Sequence, residues 1–170
     1  MSYTSFMELA KDRFSVRQFD PSKPVEPEKL DVLLEAIKIA PTAANMQPQK
    51  VKVFQTAEEL AQADIISRCR YGAPLAFLIC YDSSGTIKRG GLDAGVIDDS
   101  IITTHLMLAA WELGLGSCWC LAFDADKAHE VLGLPENIVP VAFLPVGYAA
   151  DGAAPHPFHT TFKPLDDLLL

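Results

Sequence analysis

Arg13-Phe14-Ser15-Val16-Arg17 and, about two dozen residues further on, Ala40-Pro41-Thr42-Ala43-Ala44-Asn45-Met46-Gln47-Pro48 are the stretches on which the reading of this chain turns. Along extended backbone, side chains alternate, so Arg13, Ser15 and Arg17 fall on one side and Phe14 and Val16 on the other. Two guanidiniums flanking a hydroxyl make a fork suited to phosphate, because Arg offers planar bidentate donors and Ser adds a third at short reach. Five residues alone equally fit a solvated basic turn. The second stretch adds a helix stop at Pro41, hydrogen-bonding groups at Thr42 and Asn45, and Gln47-Pro48 leading into an apolar segment. It reads as a polar loop held rigidly between two regular elements.

Bulk properties narrow the classes. With 170 residues and 49% hydrophobic content, the chain has the size of one compact domain, 1–170, with no linker, repeat or low-complexity segment. A net charge of -8 opposes nucleic acid and anionic membrane surfaces as partners, so the cations are expected to act locally. No signal-peptide pattern opens the sequence, and the longest apolar stretch, Leu75 to Tyr81, is far short of a bilayer span. A cytoplasmic location is the expectation. Cys69, Cys80, Cys118 and Cys120 lack redox or zinc spacing and are expected as buried, reduced thiols. His156 and His159 have no acidic or cysteine partners at matching spacing, so no metal is expected; His105 reads as a core histidine.

The periodicity gives a short helix over Thr4 to Lys11, an amphipathic helix from Pro27 to just before Pro41, a strand at 51–54 and a helix over Glu58 to Arg70. Leu75 to Tyr81 reads as a central strand, apolar on both faces. Asp93 to Leu113 is a long helix with apolar residues nearly all round, closed by Gly114 and Gly116 as C-cap residues. Ser117 to Ala122 reads as a strand, Asp124 to Leu132 as a helix capped by Asp124, and Val139 to Tyr148 as a strand. The order is mixed, without clean alternation, which favours α+β. The segment between Tyr81 and Asp93 is Gly-rich and too short for much structure.

Taken together, the fork and the loop resemble the nitroreductase family of FMN enzymes, whose members open with Arg-x-Ser-x-Arg/Lys and continue to Pro-Ser/Thr-x-x-Asn-x-Gln-Pro. Asp93-Ala94-Gly95, Gly114-Leu115-Gly116-Ser117-Cys118-Trp119 and Pro145-Val146-Gly147-Tyr148 resemble its later landmarks in the same order. The resemblance implies a nitroreductase-like α+β fold, a central mixed sheet flanked by helices, and an intertwined homodimer. It implies FMN as cofactor, and transfer of hydride and electrons from NAD(P)H to nitroaromatics, quinones or similar flat acceptors.

Carried over residue by residue, the resemblance places Arg13 and Ser15 at the phosphate and Arg17 near the ribityl chain and pyrimidine edge. Pro41, Thr42 and Asn45 would contact the isoalloxazine from the partner subunit, and the backbone N–H groups of Leu121 and Ala122 would face N5 and O4. Lys163, or else His159, would complete the phosphate site. This chain departs from the pattern where many relatives carry an acidic residue and Gly in place of Leu121 and Ala122, where Phe162 replaces an expected Arg, and where a lid is replaced by the short 82–92 segment, leaving the site open. No side chain stands out as a required general acid, so the catalytic residues are left unassigned. The departures keep two further readings in play: a specialised family enzyme acting on flavin or another conjugated substrate, and a non-catalytic flavin-binding protein.

Overall fold

A computed structural model describes residues 3–170. Helix α1, Phe6–Asp12, is capped by Ser5, whose hydroxyl accepts from the Glu8 N–H, and it gives way at Arg13 to extended backbone. There Ser15 bridges in parallel to Ser117, with the Val16 N–H donating to the Ser117 carbonyl at 2.9 Å. Val16 is fully buried, which fixes the register: even positions point inward, and Arg13, Ser15 and Arg17 share the other side. Helix α2, Pro27–Ile39, starts with proline in its first turn, buries Leu33, Ala36 and Ile37, and ends before Pro41.

The strands are β1 (Gln49–Phe54), β2 (Leu75–Asp82), the short pair β3 (Lys88–Arg89) and β4 (Leu92–Asp93), then β5 (Gly116–Ser117) and β6 (Ile138–Gly147). The main sheet runs β1-β2-β6-β5. Strand β2 is sandwiched: Leu75, Phe77 and Ile79 face one apolar cluster with Leu33, Ile102 and Leu106, while Ala76, Leu78 and Cys80 face another with Phe54, Ile66 and Phe143. Helix α3, Ala57–Ile66, carries a full capping box between Thr56 and Glu59, and α5, Ala125–Leu132, is capped by Asp124 as expected. Helices α3 and α5 contribute Ala63, Ile66 and Ala128 to the second cluster.

Four expectations need correction. The main sheet is antiparallel throughout, and the parallel component expected of a mixed sheet is the single Ser15–Ser117 bridge. The β1–β2 connection through α3 begins and ends at the same end of the sheet, with Phe54 opposite Ala76. Second, the strand expected over Ser117 to Ala122 stops at Ser117. Continuing the Ser117–Val146 register would set Cys118 opposite Pro145, which has no N–H to donate, so the ladder breaks and resumes only at the Cys120–Phe143 bridge. Third, Gly114 closes the long helix with φ +76, but Gly116 is a strand residue, where a Cβ would lie 2.5 Å from Val16 Cγ2. Fourth, the 82–92 segment does form structure, a β3–β4 hairpin turning at Gly90-Gly91 with φ 60 and 80.

Helix α4, Ala94–Glu112, is capped by Asp93, which accepts from the Gly95 N–H. Gly95 lies against the Tyr81 ring, where a Cβ would come within 2.1 Å of a ring carbon. Asp98, Asp99, Ile102, Thr103, Leu106 and Ala110 are buried, whereas Val96 and Ile97 on another face are open to solvent. The helix is apolar nearly all round, and the rest of this chain covers only part of that circumference. No helix among the described residues is long and apolar enough to cross a membrane.

Candidate functional site

The three fork residues present a cationic ridge with no carboxylate partner among the described residues. Among the described residues neither Arg13 nor Arg17 makes an ion pair, and the Arg17 guanidinium donates to the Ser15 carbonyl at 3.4 Å. Arg13 is half-buried, and that burial lowers its pKa from the ordinary value, with a nearby Cys118 opposing the shift; the guanidinium stays charged at any physiological pH. Ser15 and Arg17 open onto a cavity of about 350 Å³, shared with Gln18, Gly152 and His156. Two desolvated or solvent-facing guanidiniums, a hydroxyl and a cavity without a carboxylate fit a phosphate group. A larger cavity, about 540 Å³, lies between α3 and the start of α5 and mixes Asp64 and Asp124 with Arg68 and Lys127, which gives it no preference for an anion.

Below the fork sits a sulfur pair. The Cys120 thiol donates to Cys118 Sγ at 3.7 Å; these two and Cys80 are buried and free as expected, whereas Cys69, expected buried as well, is free but only half-buried. The Cys120 donor, with further help from Arg17, Ser15 and Arg13, lowers the Cys118 pKa.

The loop after α2 is held by a residue that the sequence did not flag. The Ala43 N–H donates to the buried Asp98 carboxylate of α4 at 2.9 Å, and the Gln47 N–H donates to the Thr42 hydroxyl at 3.1 Å. Ala44, Asn45 and Gln47 adopt left-handed backbone with φ 49, 56 and 50, a strained arrangement for non-glycine residues. Next to Asp98, Asp99 is fully buried and neither carboxylate oxygen has a hydrogen-bond partner; burial, then the neighbouring Asp98 charge, push its pKa up to about 8.

Within one chain the expected site residues fall into separate places. Arg13, Ser15 and Arg17 form the fork; Pro41, Thr42 and Asn45 lie on the strained loop and do not line the fork's cavity. Leu121 is 72% exposed, while Ala122 lines the larger cavity and its carbonyl accepts from the Ser67 hydroxyl at 2.8 Å. Lys163 is exposed and makes no ion pair among the described residues. Among the described residues no group of His, Cys, Asp and Glu could hold a metal ion. His105 bonds its own helix at the Ile101 carbonyl, 2.9 Å away. It is half-buried at the edge of an apolar cavity of about 280 Å³ with Ile97, Ile101 and Trp119, not enclosed in the core.

Comparison with known proteins places this geometry. The nitroreductase family model matches residues 10–70 and 70–148. A nitroreductase family protein of Clostridium difficile 630 superposes with a TM-score of 0.91 at 38% identity, covering 98% of each chain. The chain belongs to the nitroreductase family. A second family member, from Clostridium novyi NT, matches at 26% identity and a TM-score of 0.79 over 87% of each chain. A Bacillus subtilis (strain 168) protein named FMN reductase (NAD(P)H) is 28% identical over 169 residues, 86% of this chain and 66% of that protein.

For this nitroreductase, sequence reasoning located the fork and the loop but missed two residues that shape them. Asp98 was detectable only as half of an acidic pair within a helix otherwise apolar on several faces. His156 stood out only as half of a histidine pair without metal-site spacing; its place on the cavity wall follows from how the tail runs beside the fork.

Proposed function

We propose that this chain is an FMN-dependent oxidoreductase that takes hydride from NADH or NADPH and passes electrons to nitroaromatic, quinone or similar flat acceptors. The carrying observation is a fork of two guanidiniums without carboxylate partners among the described residues, with Arg17 and the Ser15 hydroxyl opening onto a cavity, in a chain of net charge -8. The name of the Bacillus relative supports the same cofactor and reductant. Bound FMN supplies the two-electron carrier. Arg13 and Ser15 bind its phosphate, Arg17 sits beside the pyrimidine edge, and the 121–122 backbone faces N5. Pro41, Thr42 and Asn45 approach the isoalloxazine from a second subunit, on a loop preset by Asp98.

The assembly is a homodimer. Support comes from the uncovered apolar side of α4, with Val96 45% and Ile97 48% exposed, and from a tail whose Phe158, Phe162, Leu165 and Leu168 are each more than 60% exposed. Four free cysteines fit a cytoplasmic location. Purified protein should be yellow, bleach anaerobically with NADH or NADPH, and regain its colour on adding a quinone or nitroaromatic. A yellow protein inert to both nicotinamides would instead be a flavin-binding protein. Sedimentation at micromolar concentration should give one dimeric species; a stable FMN-loaded monomer would refute the shared site.

A further inference from the structure

The tail beyond β6 doubles back along the fork. Phe19 bridges to Ala149, and the Ala150 N–H donates to the Gln18 carbonyl at 3.0 Å, so residues 152–156 come to stand beside Ser15 and Arg17. Further on, His159 turns away: its Nε2 donates to the Lys11 carbonyl at 3.2 Å, and its ring meets Phe14 edge-on at 6.2 Å. His156 remains on the cavity wall. The Phe158 N–H donates to His156 Nδ1 at 3.2 Å, so in the neutral ring Nδ1 is bare and Nε2 carries the proton. The proton on Nε2 makes His156 a donor, and His156 shares with Ser15 and Arg17 a cavity lining that contains no carboxylate.

We propose that His156 is a phosphate-binding residue of this site, donating from Nε2 to the FMN phosphate in place of the tail Arg that Phe162 supplants. The inference rests on the FMN reading above. It assigns to His156 the role expected of Lys163: both side chains are exposed, but His156 lines this cavity and Lys163 does not. A histidine held by a backbone hydrogen bond has already lost much of its rotamer freedom, whereas a lysine four residues past the His159 anchor would have to surrender its own on binding.

The test is titration of flavin-stripped protein with FMN and with riboflavin, which lacks the phosphate, followed by flavin fluorescence. His156→Asn keeps an oxygen that can accept from the Phe158 N–H but removes the donor at the Nε2 position; His156→Ala removes both. Loss of one hydrogen bond to a charged group should weaken FMN binding by about tenfold in each variant, with riboflavin affinity unchanged. Wild-type FMN affinity in His156→Asn, with both flavins weakened in His156→Ala, would reduce His156 to a turn cap and overturn the assignment. A larger FMN-specific loss in Lys163→Ala would also overturn it. Failure of the wild type to bind either flavin would defeat the FMN reading itself, and this inference with it.

Discussion

The fork at Arg13–Arg17 and the acid pair at Asp98–Asp99 both carry charge without ordinary partners, yet they settle the imbalance in opposite ways. The fork has no carboxylate partner among the described residues, and Arg17 borders a cavity, so its charge is on offer to an anion. Asp99 has no cavity and no donor, and a carboxyl can neutralise itself, so its pKa rises to about 8, chiefly by burial. Asp98, next to it, does have a donor: its carboxylate accepts the Ala43 N–H at 2.9 Å. Uncompensated charge therefore points to a ligand site only where there is access and where the group cannot titrate away.

The comparison is easiest to break at Arg13. Arg13→Ala removes a bidentate donor and should raise the FMN dissociation constant by about 100-fold, each charge-assisted hydrogen bond contributing about 1.5–3 kcal/mol. Lys163→Ala should cost no more than about threefold, as an exposed charge does. Equal losses in the two variants would place the phosphate elsewhere.

Asp99 offers a test of opposite sign. Its folded pKa, about 8, lies above the unfolded value, so its contribution to stability is greatest in acid and declines as pH rises from about 4 to about 8. Asp99→Asn should flatten that slope and stabilise the protein at pH 8 by on the order of 2 kcal/mol, read by denaturant unfolding across that range. An unchanged slope would mean that the carboxyl finds a proton donor in solution.

The smallest effect sharpens the division of labour inside the fork. Arg17 is placed beside flavin N1 and O2, where negative charge accumulates on reduction, so Arg17→Gln should lower the two-electron midpoint potential by on the order of 30 mV, with modest loss of affinity for oxidised FMN. An unchanged potential with collapsed affinity would make Arg17 a second phosphate ligand.

Much of this was legible in the sequence because its signals are local. Ser5, Asp93 and Asp124 cap the helices they precede, Pro41 stops α2, and the unbroken apolar run of β2 reports burial on both faces. What stayed hidden depends on partners far along the chain. Pro145 ends the pairing of Ser117, Val16 dictates Gly116, and the Phe54–Ala76 register makes the sheet antiparallel. The site divides in the same way: Arg13, Ser15 and Arg17 announce themselves by alternation, whereas Asp98 and His156 matter through what the fold sets beside them.

Strand order has a consequence for the birth of this protein on the ribosome. Strand β6 lies between β2 and β5 in the sheet but is the last of the four to be synthesised. At roughly 5–20 residues per second, the run Leu75-Ala76-Phe77-Leu78-Ile79-Cys80-Tyr81 spends several seconds outside the tunnel, paired along one edge with β1 and bare along the other. Until residues 138–147 arrive, that edge is open to any other strand nearby. A nascent chain of this topology needs shielding by chaperones most in the interval between its second and last strands, and slow translation of α4 and α5 would prolong that exposure.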